Sequence, residues 1–322
     1  TWRAMSASLI ASNISAEHFI GMSGSGFALG LAIATYEWMA AATLIIVAVY
    51  FIPVYLKNGI YTMPQFLQKR YNNTVSTVMA VFWLLVYVFV NLTSIIYLGA
   101  LAISSISTIP FTWSIVGLSI CAVIVTLGGM KVIGYTDVIQ VFVLILGGLV
   151  TTYLALNLVS EHFGYGNDIL KGLVIIKEKA PLHFEMIFDK SNLYYRDLPG
   201  LSVLIGGMWI NNLNYWGCNQ YIVQRALGAD LKTARKGILF AAFLKLLIPI
   251  IAVLPGIIAF VLYQNGMFQT EMKDSLGVVK PDHAYPTLLN LLPEGIKGLA
   301  FAALVAAIIS SLAGQANSIS TI

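Results

Sequence analysis

The feature that most constrains this chain is a run without a single charged residue, from residue 71 to residue 130. A membrane-crossing helix needs about 20 apolar residues, so the run predicts two spans. We place their boundary at residues 107–110, because Pro110 favours a helix start. Charged residues are only 10% of the whole chain and hydrophobic residues 58%, whereas soluble domains carry roughly 25% charged residues. We therefore predict an all-α integral membrane protein.

Hydropathy along the rest of the chain predicts about eight spans in total. Residues 57–71 form a polar turn and a short amphipathic helix with Pro64 near its start, and residues 128–131 form a tight loop. Two long polar loops follow, about 160–199 and 264–297, and a short charged loop covers 225–236. The spans are expected at about 3–27, 33–56, two within 71–130, 134–159, 200–221, 237–263 and 298–322.

Lysine and arginine in the short loops indicate the orientation in the lipid bilayer. The loops after spans two, four and six carry these cations, and the short loops after spans one and three carry none. This alternation predicts that span one enters from the cytoplasm and that both long loops lie outside. The net charge of +4 is a sum of such loop charges and indicates no nucleic-acid partner. Because Thr1 and Ile322 both lie within helical patterns, we expect a fragment of a longer protein.

Polar residues interrupt span one in its middle. Asn13, Ser15, Glu17 and His18 lie there, and several glycines follow. Polar groups inside a span are costly unless they face protein, water or a ligand, and loosened backbone is tolerated where it lines a cavity. A broken span with polar groups at mid-depth indicates a transporter binding site. Span six, rich in glycine and asparagine, is predicted to be interrupted as well.

Two helical faces carry oxygen donors at matching spacing. On span one, Ala11, Ile14, Ser15 and His18 share a face, and on span eight Ala307, Ser310 and Ser311 do so. Hydroxyls together with carbonyls freed by a break near Ile14 suit a hard ion such as sodium. The alternative is ordinary packing of small residues between membrane helices, and spacing alone favours the packing.

Three charges are placed inside spans: Glu37, Asp137 and Lys245. An intramembrane charge is a functional hypothesis by default. A carboxylate and an ammonium that face one cavity can pair when it is empty and bind hydroxyls when it is filled. The alternative is a structural ion pair or, for Asp137 near Lys131 and the membrane edge, a helix cap.

Amides and aromatic rings are concentrated on span six. Asn91 also lies deep in the uncharged run. Amides both donate and accept hydrogen bonds, and aromatic faces stack on apolar ring faces, so this combination favours an uncharged polyhydroxylated solute. Amides that only join helices are the alternative. The residues concerned on span six are Asn211, Asn212, Asn214, Tyr215, Trp216, Asn219 and Gln220.

No phosphate-binding or metal-binding signature points to an enzyme. The chain has no Walker A motif, and its glycine-rich segment at residues 24–30 follows no strand. Its histidines have no metal-ligand spacing. We predict no ATP-driven transport and no catalytic activity.

Several runs resemble the sodium/solute symporter family. They are SASLIASNISAEHFIGMSGSG, YEWMAA, GGMKVIGYTDVIQVF, NNLNYWGCNQYIVQRAL, FAAFLK and AAIISSLA. The resemblance covers the whole chain and implies a single transmembrane transporter domain with the LeuT-type fold of two inverted repeats. The first repeat would cover about residues 1–160, and part of the second about 200–322.

The resemblance also implies residue roles, with sodium as the coupling ion. Asp137 matches an acidic residue associated with sodium passage. The residues that would hydrogen-bond a sugar are His18, Glu37, Asn91, Asn212 and Lys245. The outer gate would be formed by Met22 and Tyr36, and the inner gate by Tyr215. The residues that would hold sodium are Ala11, Ile14, Ala307, Ser310 and Ser311.

The function implied is sodium-coupled import of a hexose by alternating access, at the cell inner (plasma) membrane. Bacterial galactose-transporting members have glutamine at the position of His18 and animal glucose-transporting members have histidine, so galactose preference stays open. One alternative is another solute on the same fold, such as myo-inositol, a sialic acid or proline. The other is a transporter-like sensor that binds sugar without moving it.

Overall fold

The structure, a computed structural model, describes residues 1–14, 17–198, 200–274 and 276–322, with side chains for all of these except residues 17, 129–133, 135 and 136. Within these ranges the chain is helical, and the only β pairing is an isolated antiparallel bridge between Lys273 and Val279. The prediction of an all-α protein is confirmed. Phe111–Leu127 is a shorter apolar helix. Five of the described helical segments are long and apolar enough to cross a membrane: His18–Lys57, Asn73–Ile106, Asp137–His162, Leu231–Gln264 and Glu294–Thr321.

The count of five differs from the eight predicted spans for a physical reason. Span four is the shorter apolar helix Phe111–Leu127, and the broken spans, one and six, are divided into short pieces. The outer half of span one also continues into span two without a helical gap, so both fall within the 40-residue segment His18–Lys57.

Span one is interrupted where the sequence predicts. Helix α1 (Trp2–Asn13) ends at Ile14, whose backbone is extended at φ −77° and ψ 90°. The outer half consists of the π-helical segment Glu17–Met22 and helix α2 (Ser23–Leu29). Ser15, which the sequence places on the sodium face, lies outside the described residues.

Span two begins with a tight turn that only glycine can make. Gly30 has φ +79°, and a Cβ there would overlap the backbone of His183. The span then runs through a 3₁₀ turn, helix α3, a π-helical segment and helix α4: Gly30–Ala34, Thr35–Ile46, Val47–Phe51 and Ile52–Lys57.

The predicted amphipathic helix after span two is present. Helix α5 (Met63–Arg70) has Pro64 in its first turn, as expected. Its N-terminus is closed by a capping box in which the side chains of Thr62 and Gln65 each accept a backbone N–H.

Spans three to five follow with one correction. Helix α6 (Asn73–Val86), the π-helical segment Tyr87–Leu92 and helix α7 (Thr93–Ile106) form span three. The predicted loop at residues 128–131 is shorter than expected: only Gly128, itself helical in φ and ψ, separates helix α8 (Phe111–Leu127) from helix α9 (Gly129–His162).

The two long loops contain short helices and cover the outer half of span one. Asp282 of the second loop approaches Gly24 closely, as His183 of the first approaches Gly30. The first loop contains helix α10 (Ile169–Lys179) and the 3₁₀ turns Pro181–Phe184 and Leu193–Arg196. The second loop contains the 3₁₀ turn Pro281–His283 and a helix that we label α15 (Ala284–Leu289).

Span six is interrupted, and it ends later than predicted. Its outer part comprises helices α11 (Gly200–Ser202) and α12 (Met208–Leu213), each followed by a π-helical segment, Val203–Gly207 and Asn214–Cys218. The extended residue Asn219 then separates them from helix α13 (Gln220–Leu227).

The predicted charged loop at residues 225–236 is therefore wrong at its start. Arg225 lies in helix α13 and is buried, because a buried carboxylate pairs with it. Only residues 228–230 separate helix α13 from helix α14 (Leu231–Gln264).

Spans seven and eight start earlier than hydropathy indicates, because helices continue beyond the hydrocarbon core. Helix α14 contains Pro249 and Pro255 and packs against both halves of span one and against span two. Helix α16 (Glu294–Thr321), which is span eight, packs against α8, α9 and α1. This packing brings the faces singled out on spans one and eight into neighbouring helices.

Candidate functional site

A cavity of about 450 Å³ lies beside the break in span one. Spans one, two, three, six and seven all contribute to its wall. The lining combines charged, amide and hydroxyl side chains with apolar and aromatic ones. It consists of Asn13, His18, Gly21, Met22, Ser25, Ile33, Tyr36, Glu37, Ala40, Ser94, Leu98, Asn211, Asn212, Tyr215, Trp216 and Lys245.

A buried ion cluster forms part of the cavity wall, and we call it the Glu37 cluster: Asn13, His18, Glu37 and Lys245. Lys245 Nζ donates to Glu37 Oε2 at 2.6 Å and also to Asn13 Oδ1. His18 Nε2 donates to Glu37 Oε1 at 3.1 Å, whereas His18 Nδ1 has no partner among the described residues. The carboxylate thus joins span two to the outer half of span one and to span seven. The expected pairing of Glu37 with Lys245 is present.

Span six supplies the aromatic wall. Asn13 Nδ2 donates to the Tyr215 hydroxyl at 3.2 Å, and Lys245 Nζ lies 5.1 Å from the centre of the Trp216 ring. Asn212 Nδ2 donates to Met208 O at 3.0 Å. The Asn212 carbonyl oxygen is the amide atom that this bond leaves for other donors.

The predicted gate residues border the same cavity. Met22, Tyr36 and Tyr215 all line it. Asn91 is the one predicted sugar residue outside the lining. It lies in the π-helical segment of span three, and Ser94, three residues later, lines the cavity instead.

The break in span six is held by three side-chain hydrogen bonds. Asn219 Oδ1 accepts from the Tyr87 hydroxyl at 2.6 Å and from the backbone N–H of Tyr221 at 3.0 Å, which caps helix α13. The Tyr221 hydroxyl donates to Ser12 O at 2.7 Å, one residue before the end of helix α1. The two broken spans are therefore tied together next to both interruptions.

The residues predicted to hold sodium are all buried. Ala11 lies in the last turn of helix α1, which ends at Asn13, and the last turn of a helix leaves carbonyls without intrahelical partners. On span eight, the Ser311 hydroxyl is buried without a hydrogen-bond partner among the described residues. A buried, unpaired hydroxyl fits an oxygen-coordinated ion. Ala11, Ile14, Ala307 and Ser311 are less than 1% exposed, and Ser310 is 4% exposed.

Ser310 is already engaged by a second buried cluster, the Asp137 cluster, which comprises Ser8, Asp137, Arg225 and Ser310. Asp137 Oδ1 accepts from Ser310 Oγ at 2.6 Å. Asp137 Oδ2 accepts from Ser8 Oγ at 2.7 Å and from Arg225 Nη1 at 2.6 Å, and Arg225 also donates to Ser8. One carboxylate therefore joins spans one, five, six and eight.

This geometry decides between the alternatives for Asp137. The helix-cap alternative is wrong, because helix α9 begins at Gly129, eight residues earlier, and Asp137 is fully buried. Asp137 instead forms a buried ion pair with Arg225, and its role in sodium passage stays a prediction. The sequence does not identify Arg225 as the partner, because the arginine stands at the start of a run of loop-like charges.

The chain matches a known protein family over its whole length: the model of the Sodium:solute symporter family covers residues 1–322. The chain belongs to this family. Its members are transporters and not enzymes, and sodium is the coupling ion of the family. The match confirms the resemblance that the sequence motifs indicate, and it makes the chain a multi-pass membrane protein.

Individual relatives differ in the solutes they are named for. The sodium/glucose cotransporter of Vibrio parahaemolyticus is 52% identical over 328 residues, covering 100% of this chain and 60% of the relative. The human sodium/myo-inositol cotransporter 2 is 33% identical, covering 100% of this chain and 49% of the relative. The symporter chain thus spans about half to three-fifths of the length of these relatives.

A solved structure confirms the fold. The substrate-bound, outward-open state of a Na⁺-coupled sialic acid symporter matches with a TM-score of 0.84 at 23% identity, covering 99% of this chain and 65% of the other. The LeuT-type fold is therefore present. The division into two inverted repeats at about 1–160 and 200–322 stays a prediction.

Proposed function

We propose that this protein takes part in sodium-coupled secondary active import of a hexose, galactose or glucose, by alternating access at the inner (plasma) membrane. The observation that carries the proposal is the Glu37 cluster at the wall of a 450 Å³ cavity. Its carboxylate and ammonium compensate each other, so the cavity carries no surplus charge from this pair. Such a site suits a neutral solute rich in hydroxyl groups.

The cluster offers a hydroxylated ring both donors and acceptors. The Lys245 ammonium and His18 can donate to sugar oxygens, and the Glu37 carboxylate can accept from sugar hydroxyls. Each of these hydrogen bonds replaces one that is made within the cluster in the empty state. Asn212 and Asn91 are proposed as further sugar ligands. Tyr215 provides a flat face for the ring, and Met22 and Tyr36 close the outer side.

Sodium is proposed to act through the broken helix. The ion would join carbonyls of Ala11 and Ile14 on span one to Ala307 and to the hydroxyls of Ser310 and Ser311 on span eight. Span one also carries Asn13 and His18 of the cavity wall, so the ion and the sugar share one interrupted element. Coupling then requires only that sodium bind one conformation more tightly than the other. We propose that Asp137, which holds Ser310, lies on the sodium path.

Other solutes follow from the names of the relatives. Myo-inositol is also a neutral polyol and would fit the same donors and acceptors. A sialic acid carries a carboxylate, which would compete with Glu37 for Lys245, so the pairing inside the cluster disfavours it. A sugar sensor would share the binding site and lack accumulation of sugar.

The test compares uptake by full-length protein with substitutions at the cavity. We expect Lys245→Ala and Asn212→Ala each to reduce sodium-dependent hexose uptake by about tenfold or more, since each loses a hydrogen bond to the sugar. Lys190→Ala and Asn265→Ala, at a lysine and an asparagine outside the cavity, are the matched controls. Near-normal uptake in both cavity variants would overturn the assignment.

A further inference from the structure

A groove between spans two and seven combines three cations with apolar walls. Its volume is about 510 Å³. It is separate from the cavity of the Glu37 cluster and shares no lining residue with it. Span seven supplies Lys232, Arg235 and Lys236 together with Leu239, and span two supplies Ala48 and Val49.

The cations lie on one face of helix α14 and have no carboxylate partner. Lys232, Arg235 and Lys236 are spaced at i, i+3 and i+4, which places them side by side. None of them forms an ion pair in the part of the chain that the structure describes. The nearest acid in sequence, Asp230, accepts instead from the backbone N–H of Thr233 at 3.0 Å. The groove therefore has a net positive charge and no internal counter-ion.

Span two fixes one of these cations in place. In its π-helical segment the N–H of Ile52 bonds to Val47 O, and Pro53 has no N–H to donate. Ala48 O therefore receives no bond from either residue, and Arg235 Nε–H donates to it at 3.1 Å. The two terminal nitrogens of the guanidinium donate to no group among the described residues, so they can bind an anion. An arginine held in this way is a preorganised phosphate ligand.

The apolar wall continues from the cations toward the membrane interior. Leu239 lies one turn beyond Arg235 on span seven, and it is 44% exposed on the outer surface of the bundle. Val49 of span two is 39% exposed beside it. The cations are at the end of span seven that the loop charges place on the cytoplasmic side. A molecule that fills the groove therefore contacts the cations at the depth of the lipid headgroups and contacts the exposed apolar side chains deeper in the membrane.

We propose that this groove binds an anionic phospholipid of the cytoplasmic leaflet, with its phosphate on Arg235 and the two lysines and an acyl chain along Val49 and Leu239. Basic pockets between spans on this side of a membrane are suited to anionic headgroups. The same two spans carry Glu37 and Lys245, so the lipid bridges two helices that line the cavity. The proposal does not depend on which solute is transported.

The test measures retention of phosphatidylglycerol by purified full-length protein in detergent, using native mass spectrometry. The variant is Lys232→Gln/Arg235→Gln/Lys236→Gln. We expect it to bind phosphatidylglycerol at least about tenfold more weakly than the unsubstituted protein, given three lost cations at the surface. The matched control, Lys57→Gln/Lys69→Gln/Arg70→Gln, removes three cations of the same predicted side outside the groove and should retain the lipid.

Two comparisons make the result decisive. Phosphatidylcholine, which has no net charge, and glycerophosphoglycerol, which has the headgroup without acyl chains, should each bind far more weakly than phosphatidylglycerol. Equal retention by the groove variant and the unsubstituted protein would overturn the proposal. Equal loss in the control variant would also overturn it, since attraction to cytoplasmic charge in general would then explain binding. Tight binding of the free headgroup would assign the groove to a soluble anion instead of a lipid.

Discussion

The Glu37 cluster and the Asp137 cluster are both buried ion pairs that join distant spans, but only the first borders the cavity. In the Glu37 cluster His18 Nδ1 has no partner among the described residues, and all four members line the proposed sugar cavity. In the Asp137 cluster both carboxylate oxygens accept short bonds from protein groups, and Ser8 and Arg225 line a different cavity, of about 760 Å³. The difference shows that the carboxylate of Asp137 is fully engaged by protein donors, whereas the Glu37 cluster keeps an unpartnered ring nitrogen next to its cavity.

The largest effect on stability is expected at the Asp137 cluster. Asp137→Asn and Arg225→Gln should each lower the free energy of unfolding by about 3–5 kcal/mol, because each leaves the opposite charge buried and unpaired. The double variant should recover a large part of that loss, because neither charge remains. Thermal unfolding of the purified full-length protein measures this. Strictly additive losses would contradict the direct coupling of the two side chains.

At the cavity, the largest expected effect is on sugar binding. Glu37→Gln removes the negative charge and replaces one of the two acceptor oxygens by an NH₂ donor. A hydrogen bond to a charged group contributes enough for a loss of about 10- to 100-fold in affinity. Ser25→Ala is the matched control, because the Ser25 hydroxyl also lines the cavity but already donates to Gly21 O at 2.9 Å. Equilibrium binding of labelled sugar in the presence of sodium distinguishes the two. Equal affinities would mean that the carboxylate is not a sugar ligand.

Two neighbouring serines on span eight separate the proposed sodium site from the Asp137 cluster. Ser311→Ala removes a hydroxyl that has no partner among the described residues. It should raise the sodium concentration for half-maximal uptake by about 3- to 10-fold, with little change in thermal stability. Ser310→Ala should also lower the unfolding temperature, because Asp137 loses a hydrogen bond. Ser320→Ala, at an exposed position, should change neither quantity. A sodium dependence unchanged in Ser311→Ala would remove this residue from the ion site.

The smallest effect is expected outside the membrane, at His183. Burial lowers the pKa of His183 below its ordinary value, and the neutral ring donates to Phe27 O at 2.9 Å while stacking on Phe260. The unfolded chain then binds more protons than the folded one, so stability falls as the pH drops below about 6.5. His183→Gln should flatten that part of the profile of unfolding temperature against pH. An unchanged slope would show that another group titrates there.

Sequence alone predicts most of this architecture, since hydropathy and proline positions locate the spans, and polar residues locate both breaks. The pairing of Glu37 with Lys245 also follows, because two opposite charges inside apolar spans need each other. Arg225 could not be placed this way. An arginine near a cluster of loop cations resembles a loop residue until the fold brings Asp137 beside it. Helices α9 and α14 are likewise longer than the predicted spans. Hydropathy marks only the residues inside the hydrocarbon core, and a helix can continue beyond it.

Sodium-coupled import of a hexose is tested most directly by uptake of labelled galactose and glucose by the full-length protein in proteoliposomes, with and without an inward sodium gradient. We expect accumulation of at least one sugar with the gradient and none without it, and the ratio of the two sugars shows how His18 affects sugar preference. Equal accumulation with and without the gradient, or no accumulation of either sugar by protein shown to be folded, would contradict sodium-coupled hexose import.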